Sequence, residues 1–233
     1  RPKSRLSALT GAMSTPATPT APATWQIVAI RSSKGGRDRF RIEFAPEREP
    51  LVLSGTVLAR TRLARHDHLT EARIAEVLLE EERQRCLERA WLLLGRRKRG
   101  RRELVQTLKS RGFAAEMVEA TVVRLEEMGY IDDREFARFW VFDRMDRGRH
   151  GPERVRRELA AKGVARDLVE EALAPYRDDA ESQRRRARAL LEKWSRTSRQ
   201  EDPRKRRAAA TAYLFRRGFM SDTIRQVVRE TLE

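Results

Sequence analysis

The chain has 233 residues, enough for one or two ordinary domains, and its charged fraction of 37% nearly equals its hydrophobic fraction of 39%. That balance argues against one large compact core and favours an elongated molecule with a thin one. The formal net charge is +16, and 44 of the 51 basic residues are Arg. Guanidinium is planar, always ionised and weakly hydrated, so it suits phosphate and carboxylate pairing. An Arg-biased composition explains solvated helix faces, but it does not explain the surplus, which attracts polyanions over long range. Cys86 is the only cysteine, which excludes an intrachain disulfide and a Cys-rich metal site. Apolar runs such as Trp91 to Leu94 are far too short to span a bilayer, and the N-terminus has no apolar signal core. A cytoplasmic chain without a membrane partner is the expectation.

Residues 1–24 read as a disordered tail, because Thr15 to Ala23 is a run of small residues and prolines with nothing to bury. Met13 is a candidate start within it. Residues 25–84 read as a β-hairpin plus helix region. Trp25, Ile27 and Ala29 alternate with their neighbours, a Gly-containing turn follows, and Phe40, Ile42 and Phe44 alternate again. Period two on both sides of a glycine turn predicts a hairpin. Leu51 to Leu53 adds a short third strand, and Ser54 caps a short helix running to about Leu63. From Thr70 onward the pattern is helical and no further strand is expected.

The second half repeats itself. An offset of 51 places Leu108 on Leu159, Gly112 on Gly163, Phe113 on Val164, Val118 on Val169 and Val122 on Leu173. An offset of 106 places Leu108 on Leu214, Gly112 on Gly218, Phe113 on Phe219, Val118 on Ile224 and Val122 on Val228. In each copy a basic amphipathic helix ends at a Gly in the left-handed position, an apolar residue follows, and a second helix buries its stripe. Pro152 and Pro203 mark first helical positions, and Asp132 with Glu135 forms a capping box. A further helix precedes each pair, at Leu87–Leu94, Phe136–Met145 and Ala187–Trp194. The expectation is therefore a mainly α protein: three-helix repeats at 85–131, 132–182 and 183–233, each supported by its neighbours.

Gly129 to Ala137, reading GYIDDREFA, and Arg147 to Val164, reading RGRHGPERVRRELAAKGV, resemble hallmarks of the RecX family. Arg102 to Phe113 and the closing Tyr213 to Phe219 are also similar to it, so the resemblance covers roughly residues 85–233. One departure is Arg101-Arg102 before Glu103-Leu104, where the family usually has an Arg-Ser pair. The resemblance implies tandem three-helix repeats in an elongated, curved array. It implies binding along a RecA filament on single-stranded DNA, with inhibition of strand exchange, ATP hydrolysis and co-protease action. Double-stranded DNA is a further candidate partner, and a monomer is expected.

Charge is distributed in bands. Residues 85–112 carry net +8, 113–137 net −5, 138–163 net +4, 164–182 net −4 and 183–220 net +10. Solvated faces with internal ion pairs are one reading. A mixed partner, phosphate plus a protein filament, is the other. The candidate DNA- or filament-binding residues are Arg96, Arg97, Lys98, Arg99, Arg101 and Arg102 at the first helix junction. Arg147, Arg149, Arg154, Arg156 and Arg157 are their second-copy counterparts, and Arg206 and Arg207 belong to the third. Trp91, Trp140 and Trp194 fall in the first helices of successive copies. A core role is favoured because each neighbours apolar residues, and a base-stacking role stands beside it.

No catalytic site, metal site or cofactor is expected. There is no phosphate-binding Gly-rich loop with a following Lys-Ser/Thr. His66-Asp67-His68 offers two metal ligands without a third and reads as solvent-exposed. The alternative to a filament regulator is a direct DNA-binding protein or repressor of helix-turn-helix type. The helices at 115–127 and 166–174 are acidic, and repulsion from phosphate argues against either entering a groove.

Overall fold

The computed structural model describes residues 24–33, 38–147, 150–177 and 179–232. The expected tail lies outside the described residues up to position 23, and Thr24 already belongs to a strand. The glycine turn of the hairpin also lies outside them. The chain divides into two compact units, ending at Glu82 and starting at Arg83.

The first unit is an antiparallel sheet with a helical cover. Strands β1 (Thr24–Ser32), β2 (Arg39–Ala45), β3 (Leu51–Ser54) and β4 (His68–Thr70) pair in the order β3-β2-β1-β4. Ile27, Ile42, Leu53 and Val57 meet Ile74 and Val77 in its core. The three-strand expectation is corrected to four. β4 has only three residues, too few for alternation to show, and it exists because Trp25 and Leu69 register across it. Helix α1 (Gly55–Thr61) starts where expected, with the Ser54 hydroxyl accepting from the Val57 N–H. The buried Glu81 carboxylate accepts from the Ser54 N–H at 2.7 Å, from its hydroxyl at 2.9 Å and from Arg39, so its burial is compensated. His66 and His68 are exposed, as expected, and no group of three metal-ligating side chains occurs among the described residues.

Helix α2 (Glu71–Leu94) is continuous. The polar stretch from Glu80 to Arg85 does not interrupt it, because Glu, Arg and Gln are strong helix formers. The remaining helices are α3 (Arg101–Lys109), α4 (Ala115–Glu127), α5 (Asp133–Phe142), α6 (Pro152–Ala161), α7 (Arg166–Arg177), α8 (Ala180–Thr197), α9 (Pro203–Arg216) and α10 (Ser221–Leu232). A single π-helical turn, Asp143–Arg147, extends α5. No helix among the described residues is long and apolar enough to cross a membrane.

Three separate apolar cores follow the three copies. Cys86, Ala90 and Leu93 close over Leu104, Leu108, Val118 and Val122. Phe136, Ala137 and Val141 close over Val155, Leu159, Val169 and Leu173. Ala187, Leu190 and Leu191 close over Ala210, Leu214, Ile224 and Val228. The repeat positions Leu108, Leu159 and Leu214 are all fully buried. The glycines that follow them, Gly112, Gly163 and Gly218, have φ of +91°, +80° and +85°, the left-handed conformation that ends a helix. Asp132 caps α5 by accepting from the Arg134 and Glu135 N–H groups, but Glu135 gives its carboxylate to Lys98 at 2.6 Å rather than closing the box.

Candidate nucleic-acid and filament interface

The copies join head to tail through the ends of α3, α6 and α9. The first N–H groups of a helix have no intrahelical acceptor, and its last carbonyls no donor. At the second joint these two shortages cancel. The Gly151 N–H donates to the Arg217 carbonyl at 2.9 Å, and the Glu153 N–H donates to the Gly218 carbonyl at 3.1 Å. The N-terminus of α6 thus sits on the C-terminus of α9, an arrangement that also aligns their dipoles. At the first joint the Arg101 N–H is taken by Asp133 of α5 at 2.8 Å, and the Arg102 side chain lies against Gly163 at the end of α6.

Glu103 ties this first joint together. Its carboxylate accepts from Arg97 and Arg99 on its own side and from Lys162 of the next copy at 3.3 Å. Burial works against its ionisation, yet the hydrogen bonds and charges of Arg97 and Lys162 hold it below the usual carboxylate range. In the second copy Glu158 is held down in the same way. Burial opposes ionisation, and Arg154, Arg144 and the Trp140 indole N–H outweigh it. His150, buried beside the second joint, is pushed below the ordinary histidine value by burial first and then by the Arg154 charge.

The candidate residues do not form one cationic surface. Arg97 and Arg99 are turned onto Glu103, Lys98 onto Glu135, and Arg101 onto Glu119 and, at 3.0 Å, Glu126. Arg154 pairs with Glu158 at 3.0 Å, and Arg156 with Glu153 and, at 2.7 Å, Glu170. These hydrogen bonds raise the pKa of Arg156 above its ordinary value. Arg206 donates to Ser195, and Arg207 is exposed on α9. Arg149 lies outside the described residues. Arg96, Arg102, Arg147 and Arg157 have no carboxylate partner among the described residues, although the Arg102 chain packs on Gly163. The acidic bands therefore neutralise much of the adjacent basic ones.

The three tryptophans differ in setting. Trp91 meets Tyr130 edge to face at 4.2 Å, beside a cleft that also holds Lys98, Arg99, Asp132 and Glu135. Trp140 is half-buried and engaged: its indole N–H donates to Glu158 at 3.1 Å, while Arg144 and Lys162 lie over its ring at 4.5 and 4.3 Å. Trp194 stacks on Tyr213 at 5.9 Å and 25°, at the edge of a cleft of about 540 Å³ that Arg147, Lys193 and Arg217 share. Residue types alone did not single out Lys193, Tyr213 and Arg217. The available signal was the copy comparison, which sets Tyr213 opposite Glu158 and Arg217 opposite Lys162.

Comparison with known proteins agrees with the repeat. Residues 86–125, 132–173 and 180–228 match family models described as the first, second and third three-helix domains of RecX, together more than half of the chain. Among curated relatives, the chain is 38% identical over 154 residues to regulatory protein RecX of Deinococcus radiodurans, covering 66% of this chain and 72% of that one. It is 29% identical over 194 residues to regulatory protein RecX of Geobacillus sp. strain WCH70, covering 82% and 71%. A crystal structure of regulatory protein RecX shares the fold with a TM-score of 0.66 at 24% identity, over 87% of this chain and 98% of that one. A RecX structure from Lactobacillus salivarius matches with a TM-score of 0.56 at 23% identity, over 65% and 97%. Three consecutive domain matches in the order of the three observed cores place this chain in the RecX family.

Proposed function

We propose that the protein regulates RecA by binding the RecA–single-stranded DNA filament and inhibiting its strand exchange, ATP hydrolysis and co-protease action. The observation that carries this reading is the series of three RecX modules joined end to end through their helix termini. A filament is itself a repeating partner, and a repeated module meets it at several points, which raises avidity without strong single contacts. The protein acts as a cytoplasmic monomer without a catalytic step or cofactor of its own. The +16 surplus steers it to polyanions, single-stranded DNA and duplex alike. The helix-turn-helix alternative is weaker, because Glu116, Glu119 and Glu127 lie exposed on α4 and would face phosphate in a groove.

Co-sedimentation with RecA filaments tests the reading. The protein should pellet with RecA on single-stranded DNA in the presence of a non-hydrolysable ATP analogue, and it should slow strand exchange at substoichiometric ratios to RecA. Failure to pellet with filaments, while binding bare DNA normally, would leave the direct DNA-binding reading in its place.

A further inference from the structure

We propose that the cleft between Trp194, Tyr213, Arg147, Lys193 and Arg217 is a pocket for one nucleotide unit of single-stranded nucleic acid, the base against the Trp194–Tyr213 pair and its phosphates on the three cations. The proposal rests on the filament reading, to which it adds a defined point of strand binding. Three observations converge on this cleft.

The first is its charge. Arg147, Lys193 and Arg217 line the cleft together, and no carboxylate lines it. None of the three has an acidic partner among the described residues, whereas most cations at the first joint are paired. Like charges gathered without a counter-charge repel one another, and a phosphodiester relieves that repulsion.

The second is its aromatic wall. Trp194 and Tyr213 lie nearly parallel at 25°, with Arg217 over the tyrosine ring at 5.3 Å. Both rings are half-buried: they pack on the third core on one side and remain accessible on the other. A flat, partly exposed wall beside cations is the arrangement on which unpaired bases stack without sequence preference. The volume of about 540 Å³ is within the range of small-ligand sites.

The third is the contrast between copies. In the second copy the first-helix tryptophan, Trp140, gives its indole N–H to Glu158 and has Lys162 over its ring. The third copy replaces that glutamate with Tyr213 and that lysine with Arg217. Without the carboxylate, the indole edge is free and the negative charge that would reject phosphate is gone. At the first copy, Asp132 and Glu135 line the cleft beside Trp91, so that one also opposes phosphate. Of the clefts beside Trp91 and Trp194, the one in the third copy sets a half-exposed tryptophan beside cations with no carboxylate in its lining.

The test uses the full chain, oligo-dT as the probe and intrinsic tryptophan fluorescence as the readout. Oligo-dT should quench the wild-type protein, and Trp194→Leu should abolish most of that quench and weaken binding by ~5- to 100-fold, the range seen when one stacking aromatic is removed. Trp194 touches the third core, so two further variants guard against misfolding. Tyr213→Glu restores the second copy's residue, and the double variant R147Q with K193Q removes two exposed cations. Each should weaken oligo-dT binding at least ~5-fold, and the double variant should flatten the log–log salt dependence by roughly 0.7 for each phosphate no longer neutralised. Unchanged affinity in both of these variants, or an undiminished quench in Trp194→Leu, would overturn the pocket. A dTMP titration saturating at the same concentration as oligo-dT would also overturn it, assigning the cleft to free nucleotides instead. Co-sedimentation with RecA filaments on the same proteins separates the two readings. Filament binding by wild type without oligo-dT quenching sinks the pocket alone. Absence of both in the wild-type protein sinks the filament reading with it.

Discussion

Three glycines of the repeat are required for three different reasons, and the difference is measurable. Gly112 adopts φ +91°, but a Cβ there would meet nothing within 4 Å, so conformation alone requires glycine. Gly151 has an ordinary φ of −83°, but a Cβ would run into the Gly218 backbone, so space alone requires it. Gly163 has φ +80°, and its Cβ would overlap the Arg102 side chain. Gly112→Ala should therefore cost about 1–2 kcal/mol, the strain of the left-handed region. Gly163→Ala adds displacement of a flexible Arg102 and should cost somewhat more. Gly151→Ala forces two backbones apart at the α6–α9 joint and should cost about 2–3 kcal/mol despite its relaxed dihedral angles. Chemical denaturation of the three variants gives the order directly, and a mild Gly151→Ala would mean that the joint is not close-packed.

The joints between helices are where sequence reading and structure part company. The periodic leucines, the left-handed glycines and the strands with clear alternation were legible, because each is a local pattern that one residue's neighbours enforce. The pairing of Glu103 with Lys162 was not, since 59 positions separate them and nothing local marks either residue. For the same reason the basic run from Arg96 to Arg102 read as one surface, whereas its guanidinium groups turn in different directions toward Glu103, Glu119 and Glu126. The short β4 escaped because three residues carry no period. Glu103 also makes the first joint sensitive to acid. Its folded pKa lies below the unperturbed 4.5, so its contribution is fully present above that value and is lost as pH falls through the lower, folded one. Glu103→Gln should lower stability by about 1–3 kcal/mol at pH 7, through three donors left with a weaker acceptor. It should also shrink the difference in melting temperature between pH 7 and pH 3, and an unchanged acid limb would place the acid-sensitive carboxylates elsewhere.

At the scale of the whole molecule, sixteen surplus charges act in two ways that mutation can separate. Some cations are held in ion pairs with carboxylates of their own module, and others are left over for phosphate. Arg97, Arg99 and Arg101 belong to the first class, since each is engaged by Glu103, Glu119 or Glu126. Arg96, Arg147 and Arg157 belong to the second, having no carboxylate partner among the described residues. Replacing either trio by Gln removes the same formal charge and keeps helix propensity, so long-range attraction to a polyanion falls equally. The local consequences differ. The paired trio should cost stability, because it leaves carboxylates near the first joint without their donors. The open trio should leave the melting temperature unchanged within a degree or two. It should flatten the log–log salt dependence of single-stranded DNA binding by roughly 0.7 for each phosphate that is no longer neutralised. Thermal denaturation and binding titrations at several salt concentrations, run on both trios, distinguish the classes. Equal salt slopes in the two trios would mean that the ion pairs open to receive DNA, and that all six arginines serve the strand.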